Sequence, residues 1–318
     1  MTASRRWVRP RRELAPVLST PKGRALPDPA PRGRARKLGA ARRFLERVGL
    51  MLGLCGVLVG CVSSSDVPGS SGSSTRMARS PDSQDLVTAS DETDNARRAR
   101  IRLELASAYF AQGQSATALD EVKRALAVDP ELVAGYNLRG LIYASLGEPV
   151  LAESSFQRAL SLRRDDADAL QNYGWFLCQQ RRYEESLRQF KSALASPGQR
   201  EPQKALLAQG ICEARKGDWG AAEKSLLASY ELDAGNPATA VNLAEVLLRQ
   251  GQPDRARFYV QRVNQTAEWV NAQTLWLAAR IERRRGNRAG ADEWGQQLRA
   301  RFPASREAAA LDQGRFDE

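Results

Sequence analysis

Residues 133–166 read VAGYNLRGLIYASLGEPVLAESSFQRALSLRRDD, and this stretch decides the fold. Bulky Tyr143 and Phe156 lie at helical spacing between two small residues, Gly140 and Ala152. Gly147 sits between the two halves, where a chain turning from one helix to the next needs a residue that accepts positive φ. The pattern continues outward in both directions. Units begin at Ala99, Val133, Ala167, Gln203, Pro237 and Ala272, at offsets of 34, 34, 36, 34 and 35 residues.

The eighth position of each unit is Ala106, Gly140, Gly174, Gly210, Ala244 or Ala279, and the twentieth is Ala118, Ala152, Ser186, Ala222, Ala256 or Ala291. Two helices packed at van der Waals distance admit only small side chains where their backbones cross. The fifteenth position holds Gly113, Gly147, Gly217, Gly251 and Gly286, with Arg181 the exception. Pro130 and Pro303 close the second helices of units one and six. A period near 34 residues with these small sites resembles the tetratricopeptide helix pair. The resemblance implies an all-α fold: a right-handed solenoid of six helix-turn-helix repeats with a concave groove, spanning residues 99–318 and ending in a short closing helix at Arg306–Asp312.

The formal net charge of +11 does not belong to this repeat region. Residues 1–60 hold 14 of the 48 Lys/Arg and three of the 37 Asp/Glu, so the rest of the chain is balanced and offers no excess charge to phosphates. No nucleic-acid partner is expected. Basic Arg36, Lys37, Arg42, Arg43 and Arg47 lead into twelve mostly apolar residues, 48–59, the layout of an export signal too short to span a bilayer permanently. Leu58, Val59, Gly60 and Cys61 resemble a bacterial lipoprotein signal, which implies cleavage before Cys61 and a lipid on its thiol. Cys55 is the poorer candidate, because Leu54 before it is bulky. Residues 61–98 are rich in Ser, Gly, Asp and Thr and read as a flexible, lipidated tether with a span of about 30 Å. Val62 after the cysteine resembles the arrangement sorted to the outer membrane, so the expected location is its periplasmic face.

The chain contains no histidine, which removes the commonest general base and the commonest metal ligand. No glycine-rich loop follows a strand pattern, and the acidic pairs Asp165 with Asp166 and Glu184 with Glu185 fall on turns or polar helix faces. The expectation is a protein that is not an enzyme, with no cofactor, metal or small-molecule substrate. Cys178 and Cys212 lie on the first helices of neighbouring repeats. A disulfide is open to them in an oxidising compartment, and two small buried thiols are the expected reading.

In a tetratricopeptide superhelix the second, fifth, ninth, twelfth and thirteenth positions of each first helix face the groove. These positions include Leu103, Phe110, Asn137, Leu141, Gln171, Trp175 and Gln179, then Leu207, Ile211, Arg215, Val241 and Leu248. The partner groove is accordingly expected at Phe110, Asn137, Leu141, Gln171, Trp175, Gln179, Leu207 and Ile211, a mixture of apolar groups and amides suited to an extended or helical peptide. A tightly wound superhelix would bury several of them, Trp175 above all. Asn137, Gln171 and Gln179 are expected to stay exposed, because burying an unpaired amide is costly. Arg280, Arg283, Arg284, Arg285 and Arg288 cluster around Gly286, as a solvated helix end or a contact for anionic lipid or a carboxylate.

The run Asn172, Tyr173, Gly174, Trp175, Phe176, Leu177, Cys178, followed by Arg182, Tyr183 and Glu184, is similar to the third repeat of the type IV pilus biogenesis lipoproteins, the PilF/PilW family. The closing Gly295, Gln297, Leu298, Phe302, Pro303 and Ser305 resemble that family's carboxyl end. The resemblance implies a secretin pilotin: an outer-membrane lipoprotein that binds subunits of the type IV pilus secretin and supports their localisation and multimerisation. The alternatives are another outer-membrane repeat scaffold, such as a barrel-assembly component or an adaptor for cell-wall enzymes, and a cell-wall enzyme that uses its repeats to hold substrate.

Overall fold

The computed structural model describes residues 93–316. Thirteen helices and no strand lie among the described residues. They are α1 (Asp94–Ala111), α2 (Ser115–Val128), α3 (Val133–Leu146), α4 (Pro149–Leu162), α5 (Ala167–Gln179), α6 (Tyr183–Ala195) and α7 (Pro202–Lys216). The chain continues with α8 (Trp219–Leu232), α9 (Pro237–Arg249), α10 (Pro253–Asn264), α11 (Ala272–Arg284), α12 (Arg288–Arg301) and α13 (Arg306–Asp312). The leader 1–60, Cys61 and the tether through residue 92 lie outside the described residues. Helix α1 starts at Asp94, so the last five residues of the stretch 61–98 expected as tether are helical. There Thr93 Oγ1 accepts from the Ala96 amide at 3.1 Å and caps the helix.

Proline opens α4, α7, α9 and α10, at a position where its missing N–H costs nothing. All five fifteenth-position glycines have positive φ, from 74° to 92°. Arg181, the exception in sequence, takes the same turn at φ 62°. Its amide donates to the Cys178 carbonyl at 3.0 Å. The repeat imposes the left-handed geometry even on a residue for which it costs about 1–2 kcal/mol.

Within each pair the first and second helices pack along their length. Between pairs, each first helix touches the next first helix, while second helices touch only first helices. The first helices thus form an inner layer and the second helices an outer one. α13 packs on α11 and α12, in the place of the first helix of a seventh pair.

The crossings show why residue volume is fixed in pairs. A Cβ added at Gly140 would lie 2.7–2.8 Å from ring carbons of Phe156, one at Gly174 3.1 Å from Phe190, and one at Gly210 2.6 Å from Leu226. Phe156, Phe190 and Leu226 are the twenty-fourth residues of their units. Where the eighth residue is Ala, as at Ala106 and Ala244, the twenty-fourth is a smaller Val122 or Val260, both buried. In unit six Ala279 meets Gly295 at that position, and Leu311 of α13 fills the space, 3.0 Å from where a Cβ would stand. Ser186, fully buried, adds a hydrogen bond from its Oγ to the Gly174 carbonyl at 2.7 Å.

Charged residues tie neighbouring repeats. Arg182 holds Glu153 of the preceding repeat at 2.7 Å and Glu185 at 2.7 Å. Buried Glu282 of α11 accepts from Arg257 at 2.7 Å, Asn287 at 2.8 Å and Arg285 at 2.9 Å. Burial alone would raise its pKa, but these three donors overcome that effect and hold the carboxyl below the ordinary glutamate value.

Two predictions follow from these packings. Gly140→Ala lowers stability by about 1–2 kcal/mol through overpacking against Phe156. In a Phe156→Val background the same change raises stability, because an Ala and Val pair fits this crossing; additive effects in a urea-melt double-mutant cycle would refute the volume pairing. A depressed folded pKa at Glu282 means its stabilisation is full above the unfolded value of about 4.3 and is lost as pH falls through the folded pKa. Wild type therefore melts at lower temperature as pH drops below about 4, while Glu282→Gln shows a shallower acid limb from a lower neutral starting point.

Candidate functional site

The inner layer presents the expected groove positions unequally. Asn137, Trp175 and Leu207 are buried, with 9%, 7% and 6% of their surface exposed, so their placement as groove-facing side chains is corrected. Each is covered because one first helix leans on the next. Asn137 Oδ1 accepts from Asn172 Nδ2 at 3.2 Å across that contact, so the amide expected to avoid burial finds its partner one repeat away. Trp175 packs with Cys178, Phe190, Ala208 and Cys212. Leu207 joins the cluster of Leu226, Leu243 and Ala244.

Phe110, Leu141, Gln171 and Ile211 are half-buried, and Gln179 is exposed. Ile211 leans on both the Trp175 cluster and the Leu207 cluster and so joins the middle repeats. The Arg215 guanidinium lies over the Trp175 ring, 4.9 Å from its centroid, and covers the face of the indole. Gln171 also borders a cleft of about 510 Å³ between the segments that lead into α5 and into α7, with Asp165, Asp166, Asp168, Arg200 and Glu201. There burial first, then the charges of Asp166 and Glu201, push the Asp168 carboxyl above its usual value. No cluster of three or more His, Cys, Asp or Glu suited to a metal ion occurs among the described residues.

Cys178 and Cys212 form a disulfide, which corrects the expectation of two free thiols. Their Cα atoms are 5.8 Å apart, within the range a disulfide spans, because the contact of α5 with α7 brings the two first helices side by side. Both sulfurs are buried, and Ser186 Oγ lies 3.2 Å from Cys212 Sγ. The bond staples repeats three and four within the cluster that holds Trp175.

Repeat six carries inner-layer residues that were not among the expected groove positions, two of them, Arg280 and Arg283, from the arginine cluster around Gly286. The groove positions of α11 are Gln273, Trp276, Arg280, Arg283 and Arg284, and the same five-position rule carried one repeat further would have found them. Trp276 and Arg280, with Val241 and Glu245 of α9 and Ala309 and Ala310 of α13, line a cavity of about 810 Å³. Arg280 holds the Glu245 carboxylate with two bonds, at 2.8 and 3.2 Å. Among the described residues no helix is long and apolar enough to cross a membrane.

The chain matches the Tetratricopeptide repeat family model over residues 103–169 and 177–237, and a second model of the same description over 214–268. It is 27% identical over 268 residues to the type IV pilus assembly protein PilF of Pseudomonas aeruginosa, covering 84% of this chain and 95% of PilF. The solved structure of PilW, described as a widely conserved type IV pilus biogenesis factor, is 34% identical with a TM-score of 0.64, covering 67% of this chain and 97% of PilW. The solved P. aeruginosa PilF shares the fold at a TM-score of 0.62 and 24% identity, over 70% of this chain and all of that one.

The disulfide closes a loop of 34 residues in sequence, for which chain entropy gives a stabilisation of about 3–4 kcal/mol. Reduction, or the pair Cys178→Ala and Cys212→Ala, should lower the urea midpoint accordingly. Added reductant should leave the double variant's midpoint unchanged.

Proposed function

This chain belongs to the PilF/PilW family of tetratricopeptide proteins of type IV pilus biogenesis, and from that membership we propose that it is a lipid-anchored outer-membrane protein that binds secretin subunits and supports their multimerisation. The observation that carries the reading is the inner layer of first helices. It offers half-buried Phe110, Leu141 and Ile211 beside the amides of Gln171 and Gln179, over a floor held rigid by the Cys178–Cys212 bond. Such a surface takes an extended or helical segment of another protein. A rigid floor limits the ordering cost of binding.

The disulfide supports an oxidising compartment, in line with an exported chain. Lipid on Cys61 would supply residence at the membrane and the groove would supply recognition. Joined by a tether, two weak attachments raise the local concentration of the partner where the ring must form. No covalent step is required of the repeats.

A Cys61→Ser protein is expected to take up no radiolabelled palmitate and to leave heat-resistant secretin multimers depleted from the outer membrane. Unchanged multimers in a deletion strain would end the proposal. A photo-crosslinker at Gln179 is expected to capture the secretin; capture of a barrel-assembly component or a cell-wall enzyme in its place would transfer the scaffold role to that partner.

A further inference from the structure

Beyond α13 the segment 313–316 returns to the inner layer. Gly314, at φ 67°, reverses the chain, with its amide donating to the Leu311 carbonyl at 3.0 Å. The Arg315 amide donates to the Ala310 carbonyl at 2.9 Å. Phe316 then lies against repeat six. Its ring centroid is 4.9 Å from that of Trp276, with the planes inclined at 39°. The Arg283 guanidinium covers it, 4.0 Å from the centroid. Arg280 Nε donates to the Phe316 carbonyl at 3.1 Å.

These contacts have the parts of a peptide-recognition site. Trp276 supplies an aromatic wall and Arg283 a cation over the ring's negative face, so an aromatic side chain is selected over an aliphatic one. Arg280 reads backbone, because its partner is a main-chain carbonyl. Its orientation is fixed by the two bonds to Glu245, so the donor is aimed before any ligand arrives. The adjoining cavity of about 810 Å³, floored by Val241, Leu277 and Ala310, leaves room for further residues of a bound segment.

We propose that Trp276, Arg280 and Arg283 form a socket for an aromatic residue on an extended peptide, occupied in cis by the chain's own Phe316. The site goes beyond the secretin reading: its ligand chemistry is given by the segment seated in it. An incoming segment of the same chemistry would displace the tail, so the carboxyl-terminal end of the groove opens only to a ligand that outcompetes Phe316. A tail tethered beside its site acts at an effective concentration on the order of millimolar.

The test uses the chain's own terminal hexapeptide, residues 313–318, labelled with a fluorophore and titrated against three proteins. These are the full mature chain, the same chain ending at Gln313, and the full chain with Phe316→Ala. Anisotropy is expected to show binding to the truncated and Phe316→Ala proteins, and binding on the order of tenfold weaker to wild type. The same peptide with alanine in place of its phenylalanine should fail to bind any of them. Equal binding to all three proteins, or no binding to a Phe316→Ala protein that melts like wild type, overturns the socket. If truncation lowers the melting temperature, the Phe316→Ala protein, which keeps the Gly314 and Arg315 amide bonds that close α13, decides the matter. Secretin multimers are not read in this assay, so its failure leaves the pilus reading where it stood.

Discussion

Everything in this molecule depends on how closely two helix backbones approach at the crossing within each pair. The approach is set by the eighth and twentieth residues, which are never larger than serine, and the space left over is filled by the twenty-fourth in units one to five and by Leu311 in unit six. Glycine opposite phenylalanine or leucine, and alanine opposite valine, are two solutions to one volume constraint, because interiors pack to near-crystalline density. Small residues hold each crossing close, and each first helix touches the next, so the first helices line up as a continuous inner layer.

That inner layer is then specialised by repeat. In the middle, the Cys178–Cys212 bond and the Trp175 cluster lock α5 to α7, and Arg215 lies over the indole. At the carboxyl-terminal end, Arg280, Glu245 and Trp276 make a polar and aromatic wall that the chain's own end leans upon. The scaffold is uniform while the surface it presents is not, which is how one architecture serves many partners.

The helices and turns were legible because their signals recur: small residues at the crossings, glycines at the turns and prolines at the ends. Even Arg181 could be placed by its neighbours' pattern, although its own identity argued against the turn it makes. The start of α1 was hidden by the polar composition of 94–98, where a threonine cap rather than an apolar stripe begins the helix. The candidate groove was less legible. Periodicity tells which residues face the inside of the layer, but not how far the next helix leans over them. Asn137 is the clear case, since the group that satisfies its amide, Asn172, is 35 residues away in sequence. Spacing likewise put Cys178 and Cys212 on adjacent helices without showing that their sulfurs meet.

The short helix α13 has a further consequence. A stack whose last surface matched its first could add another copy of itself at the end, and a head-to-tail contact that does not close grows into a fibre. Leu311 plugs the hollow that Gly295 leaves and Ala308 is buried behind it, so the growing end is stoppered. At the other end of the described repeats Ile101 and Leu105 stay exposed, at 52% and 42%. The seven residues of α13 thereby cover a face that repeat six would otherwise present to solvent or to another copy.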